Sequence, residues 1–271
     1  MSELPIYEVY AIKYAHHDRL PELNFIDTTD FHETNMPLDY YVWAAVSPER
    51  TFVIDTGFSA ETAERRGRDL IRCPADALSL VGVDAATAKD VIITHLHYDH
   101  VGNFDLFPAA TYHLQDREMN YATGRNMGHH VFNHAYDIED VVGMVREVYK
   151  GRVTFHDGDA ELAPGFSVHH IGGHTDGIMS VRVHTKRGWV VLASDASHLY
   201  ANMGTTNPFP IVYNVGEMVR GFRKLRELAD SPDHIVPGHD PKVLDIYPAV
   251  SPELEGIAVR LDEAPSESML G

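Results

Sequence analysis

Four side chains able to hold a metal ion crowd into six residues of this 271-residue chain, His95-Leu96-His97-Tyr98-Asp99-His100. They follow Val91-Ile92-Ile93-Thr94, a short apolar run of the kind that forms a buried strand. In extended backbone alternate side chains face the same way, so His95 and His97 can offer nitrogens to one cation. If the chain then turns into a helix, Asp99 and His100 swing toward a second position nearby. Cations about 3.5–4 Å apart would suit so compact a loop. The plain alternative is a solvated, His-rich loop, and three imidazoles with a carboxylate at this spacing argue against it.

Such a centre needs donors from distant parts of the chain, and three candidates each follow an apolar strand. Phe166 to Ile171 runs into Gly172-Gly173-His174-Thr175, Trp189 to Ala193 into Ser194-Asp195-Ala196-Ser197, and His234 to Val236 into Pro237-Gly238-His239-Asp240. Glycine lets the backbone turn tightly and approach a crowded centre. Strand ends converging on one rim are a usual place for a site in layered α/β proteins. Cys73 is the single cysteine, so the donors must be His and carboxylate. Its neighbours Ile71-Arg72-Cys73-Pro74 carry no signature of a thiol nucleophile.

Further strands are expected at Tyr7 to Tyr14, Tyr40 to Val46, Thr51 to Asp55, Ala110 to Leu114 and Met179 to His184. Helical spacing of Val215, Met218, Val219, Phe222, Leu225 and Leu228 predicts one helix. Val141, Val142, Val145 and Val148 predict a second, and Glu61 to Ile71 a more exposed third. Strands in runs with helices between them point to sheets covered by helices, an α/β layered architecture. No linker or shift in composition divides the chain, so one domain, residues 1–271, is expected.

Net charge is −18, which repels phosphate backbones and anionic lipid, so nucleic acid and membranes are poor partners. It also argues mildly against a strongly anionic substrate, although bound cations can reverse the field locally. No leader pattern opens the chain and no run approaches the ~20 apolar residues of a membrane span. The expectation is a cytoplasmic protein, monomer or homodimer, acting on a small molecule.

The combined pattern resembles the metallo-β-lactamase superfamily: His-x-His-x-Asp-His at 95–100, then His174, Asp195 and His239 in order, with Asp55-Thr56-Gly57 after a strand. The resemblance runs from about Tyr40 to His239. It implies the αβ/βα four-layer sandwich, two central sheets flanked by helices. It also implies a dinuclear centre, with His95, His97 and His174 on the first metal, Asp99, His100 and His239 on the second, and Asp195 bridging. Imidazole and carboxylate donors without thiolate suit zinc first, and also manganese, iron or cobalt. Asp55-Thr56-Gly57 also marks aspartic proteases, but those need two such aspartates sharing a proton, and this chain has one. Asp55 is expected instead to hold a ligand or its loop.

Such a centre implies attack of a metal-bridging hydroxide on an ester, lactone, thioester or amide carbonyl. Asp99 would carry a proton to the leaving group. Within the superfamily, Leu192 to His198 and Gly172-Gly173-His174-Thr175-Asp176-Gly177 resemble the acyl-homoserine lactonase-like group. Those enzymes place a tyrosine three residues after the bridging aspartate, where it helps polarise the lactone. Here that position is His198, whose imidazole can donate a hydrogen bond or a proton. The leading expectation is therefore a lactone-opening hydrolase, acting on an acyl-homoserine lactone or a related catabolic lactone. The alternatives are a hydrolase of another small ester, cyclic amide or thioester, in the manner of glyoxalase II, and a non-catalytic metal-binding protein.

Two segments stay outside this pattern. A helical insertion at 116–150, with Met127-Gly128-His129-His130 and Phe132-Asn133-His134, is expected to cover the active site or to form a His-rich surface. Residues 1–39, polar and irregular from Tyr14 to Met36 with His16-His17 and Phe31-His32, are expected to line the pocket or to form a dimer contact.

Overall fold

Two sheets pack face to face in the computed structural model, which describes residues 4–28 and 35–270. The first contains β1 (Glu8–His17), β2 (Leu38–Val46), β3 (Thr51–Ile54), β4 (Asp69–Leu70), β5 (Asp90–Ile92), β6 (Thr111–Gln115) and β7 (Val153–His156). The second is formed by β8 (Ala160–Ala163), β9 (Phe166–His170), β10 (Met179–Thr185), β11 (Gly188–Ser194) and β12 (Ile235–Pro237). A last strand, β13 (Ala258–Arg260), returns to the first sheet beside β1. The spatial orders are β13-β1-β2-β3-β5-β6-β7, with β4 also on β1, and β12-β11-β10-β9-β8. Helices lie against the outer faces, as the resemblance implied.

The alternation in β1 and β2 explains the layering. Val9, Ala11, Trp43 and Ala45 face the second sheet, in one core with Phe166, Val168, Val181 and Val190. Their neighbours Tyr10, Ile12, Val42 and Ala44 face outward, against Ala77, Leu78 and Met144 of the covering helices. Strands buried on both faces read as continuous apolar runs, which is why they stand out in the sequence. Phe52 stacks on Phe166 across the sheets, centroids 3.8 Å apart and planes within 9°.

The helix Val215–Leu228 forms as its periodicity predicts, capped by Asn214, whose side chain accepts the Glu217 N–H. Met218, Phe222 and Leu225 point inward. The third expected helix is shorter than predicted. It covers Ala60–Arg66, because Gly67 adopts a left-handed conformation (φ 62°) and ends it. The chain then leaves as β4 to pair with β1. In the helix Ile138–Tyr149 the inward stripe is Val141, Met144 and Val148, whereas Val142 is exposed. His16 and His17, expected in an irregular stretch, belong to β1, which continues past a bulge between Lys13 and Ala15. Phe31 and His32 lie outside the described residues. The strands β7, β8 and β13 carry no sequence signal. They are short, and β7 and β8 are partly exposed, so they show no apolar alternation. Among the described residues no helix is long and apolar enough to cross a membrane.

The helix Ile138–Tyr149 carries a pH-sensitive group. Burial, then the charge of Asp137, pushes the Asp140 carboxyl up to about 7, against the opposing pull of Arg65 and Arg66. Its Oδ2 is buried without a hydrogen-bond partner. The folded chain therefore holds this proton where the unfolded chain, near 3.8, has lost it, and stability falls as pH rises from about 4 to about 7. We predict that D140N stabilises the protein at pH 8 and that the gain disappears near pH 4. Denaturation midpoints at the two pH values test this, and a pH-independent difference would rule it out.

Candidate metal centre

The predicted donors meet where strands from both sheets end on one rim. His95 follows β5 directly after Ile93 and Thr94, and His97 lies just before the one-turn helix Tyr98–Val101, which presents Asp99 and His100. His174 follows β9, Asp195 comes directly after β11 and His239 lies two residues beyond β12. All seven side chains are buried.

Two donor sets result. His95 Nε2, His97 Nδ1 and His174 Nε2 stand 2.9–3.2 Å from one another. Asp99, His100, Asp195 and His239 form the second set. Asp195 spans them. Its Oδ2 is 3.5 Å from His174 Nε2 and 3.9 Å from His95 Nε2, while its Oδ1 is 3.0 Å from His239 Nε2 and 3.3 Å from His100 Nε2. Asp99 Oδ2 lies 3.7 Å from both His100 Nε2 and His239 Nε2.

The rings are aimed by their outer nitrogens. His174 Nδ1–H donates to the Ile211 carbonyl at 2.6 Å, and His239 Nδ1–H to the Asp39 carbonyl at 2.9 Å. His100 Nδ1 meets Asp55 Oδ2 at 2.7 Å. Each proton so held leaves the Nε2 lone pair pointing inward. Converging lone pairs repel unless a cation joins them, and His100 Nε2 and Asp195 Oδ1 are buried with no hydrogen-bond partner. The residues therefore fit a pair of metal ions.

The two donor sets differ electrostatically. Burial, then neighbouring imidazoles, lowers His95 and His97 far below the usual histidine value, so both are neutral donors. Burial also acts on His100, but Asp195, Asp55 and Asp99 outweigh it and raise the imidazole. Burial works against ionisation of Asp195, yet His239, His100 and His198 hold it well below the usual carboxylate range.

Asp55 does what the sequence suggested. Its carboxylate accepts the Thr94 N–H at 2.8 Å, the Thr94 hydroxyl at 2.9 Å and the His100 ring. Asp55 and Ser194 both occupy left-handed backbone (φ 62° and 48°), strain of roughly 1 kcal/mol or more that the surrounding packing must hold. Next to Asp195, Gly238 is required: a Cβ there would stand 2.8 Å from Asp195 Oδ1.

His198 is buried at the same rim, with Nε2 2.9 Å from Asp195 Oδ2 and its ring stacked on Phe209 at 3.4 Å. Burial lowers its imidazole to about 3 despite Asp195, so it is neutral, and its Nδ1 has no partner. The 116–150 segment divides. His129 and His130 are exposed, whereas His134 and Ala135 line the small cavity, about 70 Å³, that opens onto the site. Tyr98 N–H donates to the Ala135 carbonyl at 3.0 Å, tying that segment to the donor loop. From the amino-terminal part, Arg19 and Leu38 reach the same cavity.

Sequence reading missed Glu118. Fully buried, its Oε1 accepts the Leu96 N–H and the Tyr136 hydroxyl, both at 2.9 Å. Its Oε2 accepts the Thr175 hydroxyl at 2.6 Å and the Gly177 N–H at 3.2 Å. It thereby joins the loop bearing His95 and His97 to the loop bearing His174. A Cβ on Gly177 would lie 2.1 Å from the Glu118 nitrogen, so this turn needs glycine, yet a glutamate in a polar stretch gives no signal by itself.

Residues 36–245 match the metallo-beta-lactamase superfamily. A protein named N-acyl homoserine lactonase AttM from Azorhizobium caulinodans is 30% identical over 183 residues, 65% of this chain and 66% of that relative. This is just under two thirds of the relative's length. The protein of that name from Rhizobium johnstonii is 27% identical over 225 residues, 76% and 82% of the two chains. A quorum-quenching N-acyl homoserine lactone lactonase superposes with a TM-score of 0.73 at 21% identity, covering 89% of this chain and 94% of that one. An N-acyl homoserine lactone hydrolase, with N-hexanoyl-L-homoserine bound at its catalytic metal centre, gives 0.72 at 19% identity, covering 88% and 94%.

The hold of Asp55 on His100 is testable. Partners of this kind typically change metal affinity by about 10–100-fold. D55A should weaken binding at the Asp99–His100–His239 position by that factor while the trio of His95, His97 and His174 keeps its ion. Chelator competition with elemental analysis measures both, and two sites of unchanged affinity would refute the assignment.

Proposed function

The chain belongs to the metallo-beta-lactamase superfamily, and from that footing we propose that it is a dinuclear-metal hydrolase that opens a small lactone. The observation that carries this reading is the single carboxylate of Asp195, with one oxygen toward His95 and His174 and the other toward His100 and His239. We assign His95, His97 and His174 to one divalent cation, Asp99, His100 and His239 to a second, and Asp195 to both. Zinc suits these donors first, and manganese, iron or cobalt suit them too. When bound, such ions supply Lewis acidity, making water acidic enough to attack near neutral pH and polarising a carbonyl. The lactone is preferred among acyl substrates because relatives named for lactonase activity align along much of the chain.

The protein's own groups take the proton traffic. Asp99 sits between His100 and His239 with its carboxylate on the cavity, and we assign it the proton given up by the attacking water. Cleavage of the ring C–O bond leaves an alkoxide, which takes that proton and becomes the hydroxyl of the hydroxy acid. His198, neutral and held flat against Phe209, donates its Nε2–H to Asp195 Oδ2, and at the place where lactonases carry a tyrosine we assign it to positioning that carboxylate and to offering Nδ1 as an acceptor. The burial of all these groups keeps bulk water from competing for the proton.

Two measurements decide between this reading and its alternatives. Metal-loaded protein is expected to open members of a lactone panel faster than it cleaves acyl-glutathione, and complete chelation should abolish both activities. D99N is expected to lower kcat by about 10²–10⁴-fold with the His95–His97–His174 ion retained. An absence of lactone turnover would reject the substrate assignment, and full activity of D99N would reject the role of Asp99.

A further inference from the structure

Three arginines, Arg19, Arg66 and Arg68, line the cavity over the metal centre. In a chain with 40 Asp and Glu against 22 Lys and Arg, cations readily find carboxylates. Arg65, adjacent to Arg66, pairs with Asp137. Among the described residues Arg19, Arg66 and Arg68 form no such pair, and they meet neutral oxygens instead.

Arg66 places its two Nη atoms on the His134 and Tyr136 carbonyls, at 2.9 and 3.1 Å, and its face lies 4.0 Å from the Tyr98 ring centroid. Arg68 donates from Nε to the Tyr98 hydroxyl at 3.1 Å and from Nη1 to the Arg66 carbonyl at 2.7 Å, leaving Nη2 without an acceptor among the described residues. Arg19 donates from Nη2 to the Leu23 carbonyl at 2.6 Å, leaving Nη1 and a buried Nε without an acceptor among the described residues. Arg66 is therefore a strut for the segment above the site, whereas Arg68 and Arg19 have donors to spare. The cavity's two carboxylates, Asp99 and Asp195, are turned toward imidazoles. Burial and then the charges of Arg68 and Arg19 pull the nearby His17 imidazole down to about 4, a sign of the positive field at this rim. Clustered, half-buried guanidinium groups without an anion repel one another, and a bound carboxylate offsets that cost through charge-assisted hydrogen bonds.

Building on the hydrolase reading, we infer that the substrate carries a carboxylate besides its scissile carbonyl, and that Arg68 and Arg19 bind it at the cavity rim. The remaining wall is short, with Leu38 and Ile211 its aliphatic side chains and Tyr40 and Tyr98 beside them. The cavity is small, about 70 Å³, and its aliphatic wall is short.

The experiment uses the metal-loaded protein with 5-oxotetrahydrofuran-2-carboxylate, its equally sized and uncharged carboxamide, and N-hexanoyl-homoserine lactone. We expect kcat/KM for the carboxylate to exceed that for the carboxamide by at least tenfold. R68Q and R19Q should each reduce this ratio at least fivefold, mainly through KM, and R68K should recover part of it. In parallel, calorimetry compares cyclopentanecarboxylate with cyclopentanecarboxamide, which have no bond to hydrolyse. Turnover of the carboxamide or the hexanoyl lactone equal to that of the carboxylate overturns the anion site and leaves the hydrolase reading intact. Tighter, Arg68-dependent binding of cyclopentanecarboxylate without any lactone turnover supports the anion site and removes the lactone reading. No turnover and no preference in binding overturn both.

Discussion

A carboxylate as deeply buried as Asp195 is tolerable only because imidazoles surround it on both sides. Alone, burial would keep it protonated, and the charges of His239 and His100, with the hydrogen bond from neutral His198, reverse that. The two sheets make the arrangement possible. Asp195 comes directly after β11 of the second sheet, while His95, His97, Asp99 and His100 follow β5 of the first. Each donor set thus takes residues from both sheets, whose spacing the Phe52–Phe166 stack and the shared aliphatic core hold fixed.

Around that carboxylate lies a ring of supports that never touch the proposed ions. Asp55 joins the end of β3 to Thr94 and His100, Ser194 bonds Thr94 across the sheets at 2.9 Å, and the Asp39 and Ile211 carbonyls orient His239 and His174. Glu118 supplies the corresponding link beneath His95, His97 and His174. Burial pushes its carboxyl up, and four donors from Thr175, Leu96, Tyr136 and Gly177 oppose that rise. Each support draws on groups far apart in sequence, so the first trio and the bridge are placed by the tertiary structure as a whole rather than by the local loop.

This difference in range explains what could be read from residues alone. The string at 95–100 and the glycine-flanked His174 and His239 advertise themselves because their chemistry and the strand before them are contiguous. β1, β2 and the helix Val215–Leu228 are legible for a similar reason, since burial stamps a period on them. The Glu61 to Ile71 stretch misled because one glycine, Gly67, outweighs the helical propensity of the residues after it. Glu118 could not be found, because its partners come from three separate segments and its own neighbours are ordinary surface residues. Edge strands such as β8 escaped too, since half-exposed positions carry no apolar period.

The net charge shows most sharply where a sum over residues stops being informative. At −18 the whole chain repels anions at long range, which on its own disfavours an anionic substrate. Yet screening in physiological salt limits exposed charges to roughly 8 Å, so a ligand inside the cavity responds to the few groups lining it. There the balance is different: three guanidinium groups stand over a centre whose carboxylates are already engaged by imidazoles. Under the proposed carboxylate-bearing lactone, an acidic exterior with a cationic mouth would have a kinetic use, because a product with a second carboxylate is repelled once it clears the rim. The same negative surface that discourages capture from afar would then favour release, with the arginines holding the proposed substrate while its ring opens.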